Sequence, residues 1–346
     1  MAALAAVACT LAFGVGHSSS EDTGLVQATF ESGTFGPRDY LENGQAWEVQ
    51  CNPERPVSDC ARLVENGARS GSRAMRVIVR QGDSAFGWNE QAELVRPVPA
   101  DGQLDAYHQY HAVAPNEGPG DEYWYHLSVK PDIRSPGGGW RIFWNWHGWD
   151  GYTAPISFSY DKSDFQLSVY AGQLAGDSGL PWTPRSTNAL TPGQSIAVNV
   201  PFGLSRNGRP GPLDRWNDLL VHVHWTPLPN DGGFVEVYHK YADQPTYRKV
   251  IDLRGTRSFP NGIPTMHLTS LDRDGNPSRQ ALTNYMKLGF YRKSYCRQPT
   301  ASAAWRDPAA CASRKGVQPT DVLYFDGFRQ GRTRGEVDLP ELRRAS

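Results

Sequence analysis

The sequence predicts an all-β protein, a two-sheet β-jelly roll with few short helices. Three observations carry this. Short runs of alternating apolar and polar residues recur from residue 25 onward, Gly/Pro/Asn/Asp clusters separate them, and helical periodicity is nearly absent.

The strands read, in order, as Leu25–Phe30, Ala74–Arg80, Gln91–Arg96, Glu122–Lys130, Arg141–His147, Ile156–Tyr160, Gln166–Ala171, Asp218–Trp225, Gly233–His239, Tyr285–Tyr291 and Val322–Arg329. Turn signals lie at 135–139 (SPGGG), 229–233 (PNDGG) and 272–276 (DRDGN). Arg62–Asn66 and Pro340–Arg344 are the only helix candidates, and both are short. No repeat or linker divides the chain, so residues 21–346 are expected to form a single domain.

Composition narrows the function. Thirty-five Lys+Arg balance 36 Asp+Glu, and no basic run offers an electrostatic footprint for nucleic acid. Eleven Trp and fifteen Tyr in so Gly/Pro-rich a chain suit a β protein that presents aromatic rings to a ligand. Residues 1–16 (MAALAAVACTLAFGVG) are uncharged and apolar, and HSSSED follows. Residues 1–20 therefore read as a secretory signal-like segment, and the protein as extracellular, with no membrane span. Apart from Cys9, four cysteines remain. An exported chain would pair them, with Cys51–Cys60 and Cys296–Cys311 the local arrangement among three connectivities. Neither spacing is CxxC, and no Walker loop or GxGxxG motif occurs.

Strand parity sorts side chains into an inner and an outer row. In WRIFWNWH, Trp140, Ile142, Trp144 and Trp146 are expected in the core, with Arg141, Phe143, Asn145 and His147 opposite. In YMKLGFYR, Met286, Leu288 and Phe290 face inward. Tyr285, Lys287, Gly289 and Tyr291 face outward, and Gly289 is expected to leave room for an approaching group. Gln91 and Glu93 share an outer row, as do His222 and His224. Were the first three strands neighbours, they would build a polar groove containing an acid–base pair.

These residues resemble a known family. Tyr285-Met-Lys287-Leu-Gly289-Phe-Tyr291 is similar to the Y-x-K-x-G-x-Y strand of jelly-roll alginate lyases. Asn145-Trp-His147 stands where those enzymes carry Gln-Ile-His, and Gln91-Ala-Glu93-Leu resembles their Arg-Ser-Glu-Leu-Arg segment. The wider frame, including Trp144–His147, Trp216-Asn-Asp and Tyr324-Phe-Asp326, resembles glucuronan lyases and heparin lyase I. The resemblance spans most of residues 25–331 and implies a concanavalin A-like sandwich. It also implies β-elimination on a 4-linked uronic-acid polysaccharide, glucuronan- or alginate-like. Three departures bear on substrate: Asn145 replaces Gln, Gln91 stands at an Arg position, and Val95 stands where a second Arg falls.

Elimination removes the C5 proton alpha to a carboxylate, which must be neutralised or hydrogen-bonded before an enolate-like intermediate is accessible. A base at C5 and an acid at the departing O4 are also needed. Asn145 and Gln91 can hydrogen-bond the carboxylate, and His147 is a candidate base. Tyr291 becomes the acid at O4, or both base and acid for the opposite stereochemistry. Arg141 and Lys287 would supply positive charge, while Tyr285, Trp149 and Trp124 would stack on sugar rings. No cofactor is required for the chemistry. Glu31 and Asp326 resemble paired carboxylates that hold a structural Ca²⁺ in carbohydrate-active jelly rolls; a hydrogen-bonded pair is the competing reading. The expected partner is an acidic polysaccharide, met by a monomer.

Two rival functions keep the same fold. A carbohydrate-binding module needs the aromatic rings but neither His147 nor Tyr291. A glycoside hydrolase needs two facing carboxylates, and the outer rows supply only Glu93. Glu336-Val-Asp338-Leu-Pro-Glu341 fits a glucanase pattern but reads as a tail. His222-Val-His224 reads as sheet surface, and Asp272-Arg-Asp274-Gly-Asn276 as a turn.

Overall fold

The computed structural model describes residues 26–43, 45–84, 89–98, 117–133, 140–148, 154–161, 164–174, 190–203, 211–271, 277–281, 284–293 and 318–338. The signal-like segment, Trp149, Cys296, Cys311, the turns at 135–139 and 272–276 and the helix candidate Pro340–Arg344 lie outside these residues.

Strands numbered in chain order form two sheets. The first sheet runs β15 (Arg248–Leu253), β14 (Phe234–Tyr241), β13 (Asn217–His224), β8 (Glu122–Ile133), β19 (Asp321–Gly331), β6 (Ala74–Val79), β5 (Ala61–Val64), and β1 (Val26–Ala28) also pairs with β19. The second runs β17 (Pro277–Ala281), β16 (His267–Leu271), β11 (Asp164–Leu174), β10 (Ile156–Asp161), β9 (Arg141–Gly148), β18 (Asn284–Arg292), β7 (Glu90–Val98), β4 (Gln45–Gln50), β3 (Asp39–Glu42), β2 (Thr34–Phe35), with β12 (Leu190–Phe202) on β11. Pairings are antiparallel except the short β11–β16 contact. Two single-turn helices, α1 (Val57–Cys60) and α2 (Arg334–Val337), complete the described elements. This is the expected two-sheet jelly roll, and all eleven expected strands are present.

The core lies between the sheets. Leu127, Val129, Val221, Val223 and Phe325 of the first sheet meet Trp144, Trp146, Phe158, Leu288 and Phe290 of the second, all at most 1% exposed. Side chains this large dominate the apolar area removed from water, at roughly 25 cal/mol per Å². The buried Trp225 indole donates to the Tyr125 hydroxyl at 3.0 Å, and Tyr125 donates to Glu117 at 3.2 Å. That chain satisfies two polar groups that the apolar interior would otherwise strand.

Strict alternation fails in β9, and a bulge is the reason. Trp144 pairs with Phe158 and Ile142 with Ser159, so Phe143 is an extra residue relative to β10. Phe143 turns inward onto Phe165, with ring centroids 5.0 Å apart. Beyond it the parity reverses. Ile142 and Trp140 are only half-buried, whereas Arg141 points inward and is 2% exposed. Its Nε donates to Asp321 of the opposite sheet at 3.2 Å. Arg292 joins the same network, contacting Asp321 and Glu90 at 2.7 Å each.

Three further expectations are corrected. Ala61–Val64 is strand β5, so Arg62–Asn66 is not a helix; pairing with β6 outweighs a weak helical pattern. Gly289 does not open room above the sheet, because a Cβ there would lie 2.3 Å from the Ala92 carbonyl of β7. Its absent side chain lets β7 and β18 approach each other. Cys51 and Cys60 are buried, unlinked thiols. They touch: a hydrogen bond between them draws the Cys51 pKa down and pushes that of Cys60 up.

Candidate active site

The three strands singled out by sequence are neighbours, in the order β9-β18-β7, with β4 next. Their outer faces therefore form one continuous polar floor. Lys287 pairs across β9 with Asn145 and Tyr285 with His147; on the other side Tyr291 pairs with Gln91 and Gly289 with Glu93.

At one end, the Tyr285 hydroxyl lies 3.2 Å from His147 Nδ1. In the middle, the buried Lys287 ammonium donates to Gln50 Oε1 at 2.9 Å and lies 3.7 Å from Glu93. Glu93 in turn accepts from Asn145 Nδ2 at 3.3 Å. Burial alone would pull the Lys287 pKa down. The charges of Glu93, Tyr285, Glu48 and Tyr291 outweigh it and leave the pKa raised, so the ammonium stays charged. At the other end, the Tyr291 hydroxyl accepts a 2.5 Å bond from Asn89 Nδ2, and its ring packs 5.1 Å from Trp140.

Three buried amide atoms on this floor lack a hydrogen-bond partner among the described residues: the donor Gln91 Nε2 and the acceptors Asn89 Oδ1 and Asn145 Oδ1. A buried unpaired donor costs about 1–3 kcal/mol. An acceptor brought by a ligand would relieve it, and a carboxylate is the strongest such acceptor.

His147 and Tyr291 are both on the floor, but they do not meet. Tyr285 is the cross-strand partner of His147, and six residues of β18 separate Tyr285 from Tyr291. At about 3.3 Å per residue that is roughly 20 Å of strand. Tyr291 also leans toward Asn89 and Trp140, away from His147.

Other expected residues fall elsewhere. Arg141 is on the core side of β9, as described. Trp124 is on the outer face of the first sheet, stacked on His222 at 4.0 Å, and cannot reach the groove. His222 sits there between Glu122 (2.7 Å) and Glu236 (3.2 Å). Glu31 and Asp326 are engaged by the protein itself. Glu31 accepts from the backbone N–H groups of Ser72 and Arg73, and Asp326 from those of Arg69 and Ser70. Both Glu31 oxygens and Asp326 Oδ2 accept hydrogen bonds, Asp326 Oδ1 is buried without a partner among the described residues, and no group of three His, Cys, Asp or Glu among the described residues could hold a metal. Both carboxylates anchor the 69–73 loop. Sequence reading missed Glu48, Gln50 and Asn89. The alternation of Trp47 and Val49 (inner) with Glu48 and Gln50 (outer) was the available signal, but the expected strands left β4 out.

A jelly roll with a long polar floor, aromatic margins and an unpaired amide donor at Gln91 suits a carbohydrate-active protein. The family model for polysaccharide lyases matches residues 30–329, and the chain belongs to that family. An endo-β-1,4-glucuronan lyase from the fungus Trichoderma reesei is similar in structure, with TM-score 0.50 and 11% identity, covering 90% of this chain and 96% of that one. Also similar are the family-7 alginate lyase A1-II′ (TM-score 0.38, 12% identity, covering 75% and 80%) and a marine alginate lyase from Aplysia kurodai (0.39, 12%, 80% and 88%). No curated protein sequence matches the chain. The protein is a polysaccharide lyase.

Proposed function

We propose that this lyase acts outside the cell on a 4-linked polymer of glucuronate or mannuronate, and that Tyr291 carries both proton transfers. The observation behind this is the pairing of Tyr291 with Gln91: a phenol that accepts an N–H bond, directly opposite a buried, unpaired amide donor.

The Asn89 N–H bond and the Lys287 charge both favour negative charge on the Tyr291 oxygen. Gln91 Nε2 holds the uronate carboxylate as charge builds on it. The phenolate takes the C5 proton, the C5–H electrons form the C4=C5 double bond, and the C4–O4 bond breaks. The departing O4 then receives the proton from Tyr291. One group serving both steps requires H5 and O4 on the same face of the ring. Glucuronate and mannuronate meet that condition; guluronate, iduronate and galacturonate do not. The T. reesei relative is a glucuronan lyase, in keeping with this preference. Lys287, Asn145, Tyr285 and His147 extend the floor to bind neighbouring sugar units, and the apolar run at 1–16 supports export.

A second reading makes the touching His147–Tyr285 pair the acid–base couple, with Lys287 and Asn145 on the carboxylate. Incubating the purified protein with glucuronan, polymannuronate, polyguluronate and polygalacturonate tests the substrate. Growth of the ultraviolet band of a 4,5-unsaturated uronate on the first two alone is expected. Growth on polyguluronate or polygalacturonate alone contradicts a single-residue mechanism, and reducing ends without the band contradict elimination.

A further inference from the structure

The sheet opposite the groove carries a second feature that the elimination chemistry does not use. Arg62 of β5, Arg76 of β6, Tyr324 of β19 and Lys130 of β8 are successive cross-strand partners in a single register row. Their neighbours Met75, Val77, Leu323, Phe325 and Val129 are buried in the core, so all four face outward. Adjacent strands stand about 4.8 Å apart, and the row therefore spans roughly 14 Å.

Two properties separate this row from ordinary sheet surface. Arg62 and Arg76 are directly opposed like charges, an arrangement that destabilises a strand pair unless something neutralises it. Yet no ion pair to Arg62, Arg76 or Lys130 occurs among the described residues. The nearby carboxylates are Glu65, exposed at the margin, and Asp132, two residues along β8. Tyr324 is half-buried between the cations, with the Lys130 ammonium 5.4 Å from its ring centroid. Arg62, Arg76 and Tyr324 line a shallow cleft of ≈ 540 Å³ together with Leu63, Val64, Glu65 and Asn66.

We propose that this row is a second binding site for a carboxylated polysaccharide, holding the polymer on the face opposite the groove. Arginine forks pair with carboxylates in bidentate fashion, and a phenol ring offers a flat face to a sugar. Spaced cations flanking an aromatic suit a chain bearing one carboxylate per sugar better than a single small anion. The identity of the polymer rests on the uronan reading of the groove. The site would retain the enzyme on its substrate between cleavage events, through avidity of two sites on one chain.

The test uses affinity electrophoresis in gels containing glucuronan, in a Tyr291→Phe background so that the polymer stays intact. Charge reversal of Arg76→Glu with Lys130→Glu should weaken retardation about threefold to tenfold, with the effect shrinking as salt rises. In the active background, the same pair should leave kcat on a tetrasaccharide unchanged, because so short a chain fills only the groove. The milder pair Arg76→Gln with Lys130→Gln, checked by thermal melting, guards against misfolding and should give a smaller shift in the same direction. Unchanged retardation in both pairs overturns the proposal. Equal retardation by duplex DNA or anionic vesicles, lost in the same variants, also overturns it, by showing a general polyanion surface. Failure of the wild type to cleave any uronan would sink the groove reading, while the gel shifts would still report on the row.

Discussion

Gln91 and Tyr291 are cross-strand partners on the floor of the second sheet, and the Gln91 amide nitrogen is buried with no partner among the described residues. A donor held dry and unspent beside a phenol is costly in the free protein and useful when a carboxylate arrives. Gln91→Ala should lower kcat on glucuronan about 10²–10³-fold with little change in melting temperature. Steady-state kinetics on the soluble polymer check this. An unchanged kcat would remove Gln91 from the carboxylate site.

Lys287 is the hub of the floor, and its loss should be felt as stability as well as activity. Lys287→Met leaves Glu93 buried without its cation, which costs about 3–5 kcal/mol. Urea denaturation should show that loss, and adding Glu93→Gln should restore part of it. A double variant no more stable than Lys287→Met alone would argue that the two charges are not coupled.

Arg141 belongs to the interior, so its removal should separate stability from substrate binding. Arg141→Met should destabilise the fold by about 3 kcal/mol, because it leaves Arg292 to balance both buried carboxylates, Asp321 and Glu90. KM for the polymer should not move. A large rise in KM with normal stability would return Arg141 to the groove.

Burial pushes the Asp326 carboxyl up to about 7, against an ordinary value of 3.8. Because the folded-state value lies above the unfolded one, the native state binds the extra proton between about pH 4 and 7. Stability from this group is therefore present at acid pH and is lost as pH rises through 7. Asp326→Asn keeps an acceptor for the Arg69 and Ser70 N–H groups and should flatten the decline. Urea midpoints measured at pH 5 and pH 8 would show it; an unaltered slope in the variant would assign the decline to other groups.

Much of this was legible in the chain itself. Period-two patterning located the central strands, because a jelly-roll strand packed on one face must alternate. It also placed Lys287, Asn145, Gln91 and Glu93 on outer rows, which strand pairing then brought side by side. Alternation fails wherever a bulge resets it, and so a single extra residue turned Arg141 and Phe143 inward and left Trp140 and Ile142 half-buried. Nor does parity say which of two sheets a strand joins, which is why Trp124 is far from the groove it was assigned to. Strands β4 and β5 were missed because they are short and carry charged outer rows, and Gln50 and Glu48 went with them. His147 and Tyr291 sit on the expected face, but the register that keeps them apart depends on long-range pairing that no local pattern encodes.

The sharpest comparison is the initial rate of unsaturated-product absorbance on glucuronan for Tyr291→Phe beside Tyr285→Phe and His147→Ala. The phenol opposite Gln91 should prove indispensable, its loss abolishing the signal. The other two variants should keep a kcat within about tenfold of wild type and show their damage in KM. Full turnover by Tyr291→Phe, with silence from His147→Ala and Tyr285→Phe, would move the chemistry to the opposite end of the floor.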